Sequence, residues 1–447
     1  IGREALRDNT TADNNTAFGF ISLQSNSTGA NNTALGANAL QDNTTGAQNT
    51  AVGCATLDAN TTGNYNVAVG YNAATTQTTA ERNTAIGQSA LKLNTTGSGN
   101  TAVGQGALND NTTGDNNVAV GQGALDANTT ADYNTALGYQ ALGANTTAQY
   151  NVAVGSQTMV AVTTGGYNTA IGQQAMYETT TGENNTAIGY EALRTNSTGD
   201  YNVALGQGAL RDGTGQRNTA IGPTAQRFRT TGDDNVSVGH EAGRGASSAS
   251  PATGDGNVSV GRGAHEDIRG GSNNTAIGKE AHRECSTGTN NICIGNQAGR
   301  STSPSGTLNN ENNIICMGDD NIAVAHVKVA WTTGSDKRDK TDIENFIHGL
   351  DWVNKMRPVT YRWDNRHWYD SGIPDGSKKA PQLELGLIAQ EELEIEKEFG
   401  YGKTKEDMLI SSINASGAYT MKYERIIPVL INAIKELSAK VTALEAA

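Results

Sequence analysis

The chain has 447 residues and a formal net charge of −13, with 36% hydrophobic, 5% aromatic and 17% charged residues. So few large apolar side chains cannot fill the three or so globular cores that this length would suggest at about 150 residues each, and so little charge argues against disorder. The acidic balance, without a basic cluster, argues against nucleic-acid binding, and no apolar run approaches the ~18 residues of a membrane span.

From the N-terminus onward the dominant feature is an internal repeat. The pattern Asn-(Thr/Val)-Ala-(Ile/Val/Leu)-Gly begins at Asn15 and recurs every 17 residues through Asn202. It continues at Asn218, Asn235, Asn257, Asn274 and Asn291, giving seventeen copies. Ile1-Gly2 has the form of a preceding copy's tail, so the sequence is expected to continue upstream; no charged or apolar leader follows Ile1.

One unit runs from Asn83 to Gly99: NTAIG, QSALKL, NTTG, SG. Thr84 and Ile86 share one face of a short strand and Ala85 points the other way. The β-branched positions predict a half-buried strand with Ile facing Ile of the next copy, and the Asn-Thr-Thr-Gly segment predicts a turn. Such a unit cannot bury its own apolar face, whereas stacked copies can. Asn at the first position would then form an amide ladder along the axis. The expectation is a mainly β fold, a β-solenoid or β-roll shaft over residues 1–312. At about 4.8 Å per coil the seventeen copies span roughly 80 Å. Ala on the opposite face would admit a second or third chain.

The shaft carries Tyr65, Tyr133, Tyr150, Tyr167 and Tyr201 directly before the repeat Asn, and Tyr71, Tyr139 and Tyr190 directly after the repeat Gly. Stacking on sugar rings and ordinary turn packing both account for them. Two irregular stretches, Gly243 to Gly256 and Gly299 to Asn313, are open to two readings: receptor contact, or a register-changing loop. Cys54, Cys285, Cys293 and Cys316 show no CxxC spacing and read as free packing thiols. No metal site and no cofactor are expected.

Residues 313–334 read as a strand transition, through Asn321 to Trp331 (NIAVAHVKVAW). Beyond it the composition changes: 16 Lys or Arg and 19 Asp or Glu fall in residues 335–447, against 16 and 26 in the preceding 334 residues. That is a separate α+β domain. Thr341-Asp-Ile-Glu344 is a capping box, and Ile343, Phe346, Ile347 and Leu350 follow at helical spacing. A helix is therefore expected from Thr341 to before Pro358. Ile427, Leu430, Ile434, Leu437, Val441 and Leu444 form the a/d seam of a parallel coiled coil, with a homotrimer as the expected assembly.

The segment Ser335-Asp-Lys-Arg-Asp-Lys340 is followed by Tyr361-Arg-Trp363, Gly386-Leu-Ile-Ala-Gln-Glu391 and Tyr423 to Leu437. In this order the motifs resemble the intramolecular chaperone domain at the C-terminus of many bacteriophage tail fibres and tailspikes, over essentially all of 335–447. The resemblance implies a domain that assists trimerisation of the fibre and then cuts itself off before the motif's serine. On this chain the serine is Ser335, the partner lysine Lys340 and the bond Gly334–Ser335. Asp336 and Arg338 match supporting positions of the motif. The chemistry suits the residues, because Ser335 adjoins the bond to be broken and needs no substrate-binding step. A lysine whose pKa is lowered by burial can serve as the base. Lys337 is the competing base, and the motif favours Lys340. The dyad would be a single-turnover serine peptidase acting in cis, without an external substrate.

The leading functional expectation is thus a phage tail fibre, assembled in the host cytoplasm and carried on the virion. Its partners would be two further copies of itself, a host cell-surface receptor (polysaccharide being one candidate), and other tail proteins joined through a missing N-terminal region. The repeats are also broadly similar to the heads of trimeric autotransporter adhesins, whose units are usually shorter than 17 residues; a bacterial surface adhesin is the second reading. A tailspike depolymerase is the third, although the scattered acids Asp233-Asp234 and Glu266-Asp267 lack aromatic subsites beside them. Ice binding lacks a Thr-x-Thr register and is set aside.

Overall fold

A computed structural model describes residues 1–247, 251–319, 321–322, 334–414 and 417–446. Two compact units are present: Ile1–Asn296 with Asn309–Ile315, and Gln297–Leu308 with Cys316–Ala447. The strand expected at Asn321 to Trp331 lies almost wholly outside the described residues.

The first unit is a parallel β-solenoid. Each repeat contributes one three-residue strand, from Thr16–Phe18 to Ile315–Met317, and the eighteen strands form one sheet. Pairing is in register, as in Thr84↔Thr101, Ala85↔Ala102 and Ile86↔Val103. Turns occupy the rest of each coil. The eighteenth strand is a repeat that the pattern hides, because Ile314 stands where the other copies have Asn. The backbone N–H of Ile314 still donates to Asn291 Oδ1 at 3.0 Å, as a repeat Asn would. The Cys316 of Ile314-Ile-Cys-Met-Gly318 takes the strand's inward position, and Asn291-Ile-Cys-Ile-Gly295 was the available precedent.

Alternation along each strand is present, but the faces are the reverse of the expectation. Ala85, Ala102 and Ala119 are buried, whereas Ile86 is 40% exposed and Leu137 47%. The reason is the width of the coil. The wall opposite the strand already fills the interior with Leu91, Leu108 and Leu125 and with two sets of buried asparagines. An Ile pointing inward would overpack that space. The Gly after each strand has the same origin: a Cβ on Gly104, at φ +136°, would lie 2.6 Å from the carbonyl oxygen of Gly121 in the next coil.

The asparagines also differ from the expected single ladder. At the strand start, Asn100 Oδ1 accepts from the Asn117 N–H at 2.9 Å, and Asn100 Nδ2 donates to the Gly114 carbonyl at 2.8 Å. These side chains therefore mainly tie backbone to backbone. The amide-to-amide ladder belongs to the Asn of the Asn-Thr-Thr-Gly turn, where Asn111 Nδ2 donates to Asn94 Oδ1 at 2.8 Å and Asn128 Nδ2 to Asn111 Oδ1 at 2.7 Å. Both sets satisfy polar groups that burial would otherwise leave unpaired.

Irregular segments rejoin this scheme. Ala252 pairs in parallel with Arg229 after the first insertion, and the Asn309 carbonyl accepts from Ser286, Thr287 and Gly288 after the second. Cys285, Cys293 and Cys316 are buried, but Cys54 is exposed and so is not a packing residue.

The second unit is α+β. Val359–Tyr361 pairs antiparallel with Glu384–Gly386, and Ser411–Ile413 with Tyr419–Met421. Its helices are α1 (Leu350–Val353), α2 (Ala389–Glu398) and α3 (Ile426–Glu445). Trp352, Ile395, Ile410 and Val429 form the core, with Phe346, Phe399 and Tyr401 against it. Trp352 stacks on Phe399 with ring centroids 4.8 Å apart and donates from Nε1 to Glu392 at 2.7 Å. The hydrogen bond and burial oppose one another at Glu392, where burial dominates and pushes its pKa up. Fully buried Glu396 accepts from the N–H groups of Leu409, Ile410 and Ser411.

No helix begins at Thr341. Residues 340–349 are irregular, with Asp342 at φ +51°, and helix appears only at α1. Tertiary contacts override the capping signal. Phe346 and His348, two residues apart, both turn to the aromatic core, while Ile347 between them is 74% exposed. Asn432 Nδ2 of α3 donates to the Phe346 carbonyl at 2.6 Å, using a group that a helix would need. On α3, Val429 and Ala433 are buried and the expected seam residues Ile427, Leu430, Ile434, Leu437, Val441 and Leu444 are all exposed.

Two substitutions test this packing. Ala102→Leu should cost the neighbouring coils about 1–3 kcal/mol through overpacking, whereas Thr101→Val on the outer face should change stability by less than about 0.5 kcal/mol. Native-state hydrogen exchange of residues 84–120 reads both, and the reverse order would turn the strand faces round. In the second unit, a Cβ on Gly349 would lie 2.5 Å from Ala433 N. Gly349→Ala should therefore push α3 away and destabilise the unit by about 1–3 kcal/mol, measured by urea unfolding with tryptophan fluorescence.

Candidate functional site

The site begins at Gly334, the first described residue of its segment, with an open surface around its Cα. Ser335 follows, and Asp336 caps a single 3₁₀ turn, Lys337–Asp339, by accepting from the Arg338 N–H at 2.9 Å. The Arg338 guanidinium closes on the same carboxylate, with Nη2 at 2.5 Å from Asp336 Oδ2. Its hydrogen bonds hold the Asp336 carboxyl below the usual carboxylate range. Asp336 and Arg338 thus shape the turn rather than touching the serine.

That turn decides which lysine meets Ser335. Lys340 leaves it in an extended conformation, and its Nζ donates to Ser335 Oγ at 2.6 Å. The Lys337 side chain, within the turn, has no hydrogen-bond partner among the described residues. A separation of five residues would point the two side chains apart on an α-helix. Here one tight turn and two extended flanks bring them together, and the absence of a helix at Thr341 leaves this lead-in free.

Residues 334–344 are exposed throughout. Among the described residues no hydrogen bond reaches the Gly334 carbonyl, where scission would need oxyanion donors. Lys340 is exposed, whereas burial is what makes a lysine an effective base at neutral pH.

The other motif segments meet one another instead. A Cβ on Gly386 would lie 2.6 Å from Tyr423 Oη and 3.2 Å from the Tyr361 ring, so only glycine fits between them. The Leu387 N–H donates to Tyr423 Oη at 3.1 Å, and Tyr361 packs edge-on against Trp363. Among the described residues no hydrogen bond joins this cluster to Ser335 or Lys340. The roles of Gly386 and Glu396 escaped the sequence reading; α2 carries five glutamates in ten residues, and nothing in the sequence set Glu396 apart from the others.

On the shaft, Tyr133, Tyr150 and Tyr167 stack on one another at 5.3 and 4.9 Å. The stack covers both faces of Tyr150 but one face each of Tyr133 and Tyr167, and all three remain exposed. Asp234 is held by Arg217 at 2.6 Å, and Glu266 by Arg244 and Arg283 at 3.0 and 2.9 Å. Among the described residues there is no group of three or more His, Cys, Asp or Glu side chains placed to hold a metal, and no helix is long and apolar enough to cross a membrane.

A family model described as chaperone of endosialidase matches residues 335–401. The match starts at Ser335 and ends before the Tyr423 to Leu437 motif, a shorter span than the sequence resemblance suggested. No curated protein and no solved structure matches the chain significantly. A β-solenoid shaft followed by a domain of this chaperone type fits a tailspike-like protein.

Proposed function

We propose that the chain is a bacteriophage tail fibre whose C-terminal domain drives homotrimer folding and then removes itself at Gly334–Ser335. The observation that carries this reading is the start of the chaperone match at Ser335, the residue whose hydroxyl Lys340 holds at 2.6 Å. Two exposed faces support assembly from identical chains. One is the outward Thr/Val and Ile/Leu/Val face of the solenoid, repeated at the coil spacing, which only a partner with the same spacing can match along its length. The other is the α3 seam from Ile427 to Leu444.

Scission proceeds in two steps. Neutral Lys340 takes the Ser335 hydroxyl proton as Oγ attacks the Gly334 carbonyl carbon. The proton passes to the Ser335 nitrogen as the C–N bond breaks, leaving an ester between Gly334 and Ser335 Oγ. Water then hydrolyses the ester, giving a Gly334 carboxylate and Ser335 with a free α-amine. Assembly supplies desolvation of Lys340 and donors for the oxyanion. Cutting thereby marks a completed fibre, which afterwards persists through a high unfolding barrier.

Freshly expressed wild type should yield fragments of 334 and 113 residues, with a new N-terminus at Ser335, on a denaturing gel and by intact mass. Ser335→Ala and Lys340→Met should stay whole while forming trimers. Wild-type trimers that remain uncut would reduce the domain to a permanent trimerisation cap. The double change Ile434→Asp and Leu437→Asp should give uncut, unassembled chain by sedimentation; normal cutting without assembly would sink the checkpoint.

A further inference from the structure

The interior of the shaft changes character near its C-terminal end. The column occupied by Leu91, Leu108, Leu125, Leu142, Leu193 and Leu210 in earlier coils continues as Gln226, Gly243, His265 and His282, with Gln226 and both histidines fully buried. The strand position that is Ala in the earlier coils becomes Ser237 and Ser259. Arg229, likewise buried, occupies the turn-Asn column.

These groups form two polar clusters. Gln226 Nε2 lies 3.0 Å from Ser237 Oγ. In the second, Ser259 Oγ lies 2.8 Å from His265 Nδ1, and His265 Nε2 lies 3.1 Å from His282 Nδ1. This cluster ends unpaired, because His282 Nε2 is buried with no partner among the described residues. Arg229 Nη1 donates to the Gly254 carbonyl, but its Nε and Nη2 are also buried and unpartnered.

The charges around the imidazoles are unbalanced. Beyond burial, His282 and, from two coils earlier, Arg229 act on His265 as like charges. Neighbouring Cys285 has its thiol pushed up to about 12 by burial and stays neutral. Glu266 is held outward by Arg244 and Arg283, and Asp267 lies beside the same two arginines. Glu311 is the acid that favours protonated His282, and Asp255 favours the charged Arg229. A proton on either ring would put a cation into a buried interior in which, among the described residues, no acid is hydrogen-bonded to either imidazole.

We propose that the coils containing His265 and His282 are an acid-sensitive section of the shaft, closed while both imidazoles are neutral and opening locally when they are protonated. Coils with Leu in the same column have no titrating group there and stay closed. The direction follows from burial, which holds His282 at about 4 and His265 well below 6.5. Stability from these neutral histidines is complete above the unfolded value of 6.5 and is lost as pH falls towards about 4. Between pH 7 and 5 the opening constant of this section should rise about 25-fold per histidine, and several-hundred-fold for the pair.

Hydrogen exchange of the full chain at pH 7 and 5, corrected for intrinsic exchange, tests the proposal. Protection should fall in residues 257–285 and hold in residues 84–142. His265→Gln with His282→Gln, using the residue that this column already carries at 226, should abolish the pH dependence, and each single change should leave about 25-fold. A uniform loss along the shaft, no local loss, or a loss that persists in the double variant would overturn it. If the double variant does not fold, the single variants and the local comparison in wild type decide.

Discussion

A 17-residue coil encloses very little space, and the arrangement of the whole shaft follows from that limit. Close packing leaves room for one aliphatic side chain per coil opposite a methyl group, so Leu108 faces Ala102 and the larger residues of the strand turn outward. With so little apolar volume inside, cohesion along the axis rests on hydrogen bonds between coils. Asn100 and Asn111 are buried for that purpose, each meeting partners in the neighbouring coil.

Tight coiling also places non-glycine residues in the left-handed region: Ser89 at φ +59° and Leu91 at +51° in one coil, with equivalents in most others. Each costs of order 1 kcal/mol or more. A single coil could not hold that conformation, whereas a stack in which every coil contacts only its neighbours can. Stability in such an array is a sum of local terms. A short run with a polar interior, as at Gln226, His265 and His282, therefore differs from the rest of the rod without undoing it.

In the second unit the same balance between local preference and packing positions the chemistry. The aromatic core around Trp352 draws Phe346 and His348 inward and suppresses a helix at Thr341. The irregular lead-in that results lets Lys340 reach Ser335 around one 3₁₀ turn. The dyad is assembled by backbone shape, but it lies in water. The contact between Lys340 and Ser335 is thus set by local backbone shape, while its surroundings in one chain are open to solvent.

The sequence by itself determined the period, the strand positions and the turns, because each depends on spacing within one or two repeats. It also singled out Ser335 and Lys340, through a motif. It did not determine which strand face is inside, since alternation distinguishes two faces without saying which one closes the coil, and Ile looks the better core residue than Ala. It concealed the copy at Ile314, where substitutions from Ile314 to Met317 erased the pattern that the backbone retained. It marked a helix at Thr341 from a capping box whose worth, about 1 kcal/mol, is small beside the burial of Phe346. Those points were decided by tertiary structure, because interior width and aromatic packing depend on residues far apart in the chain.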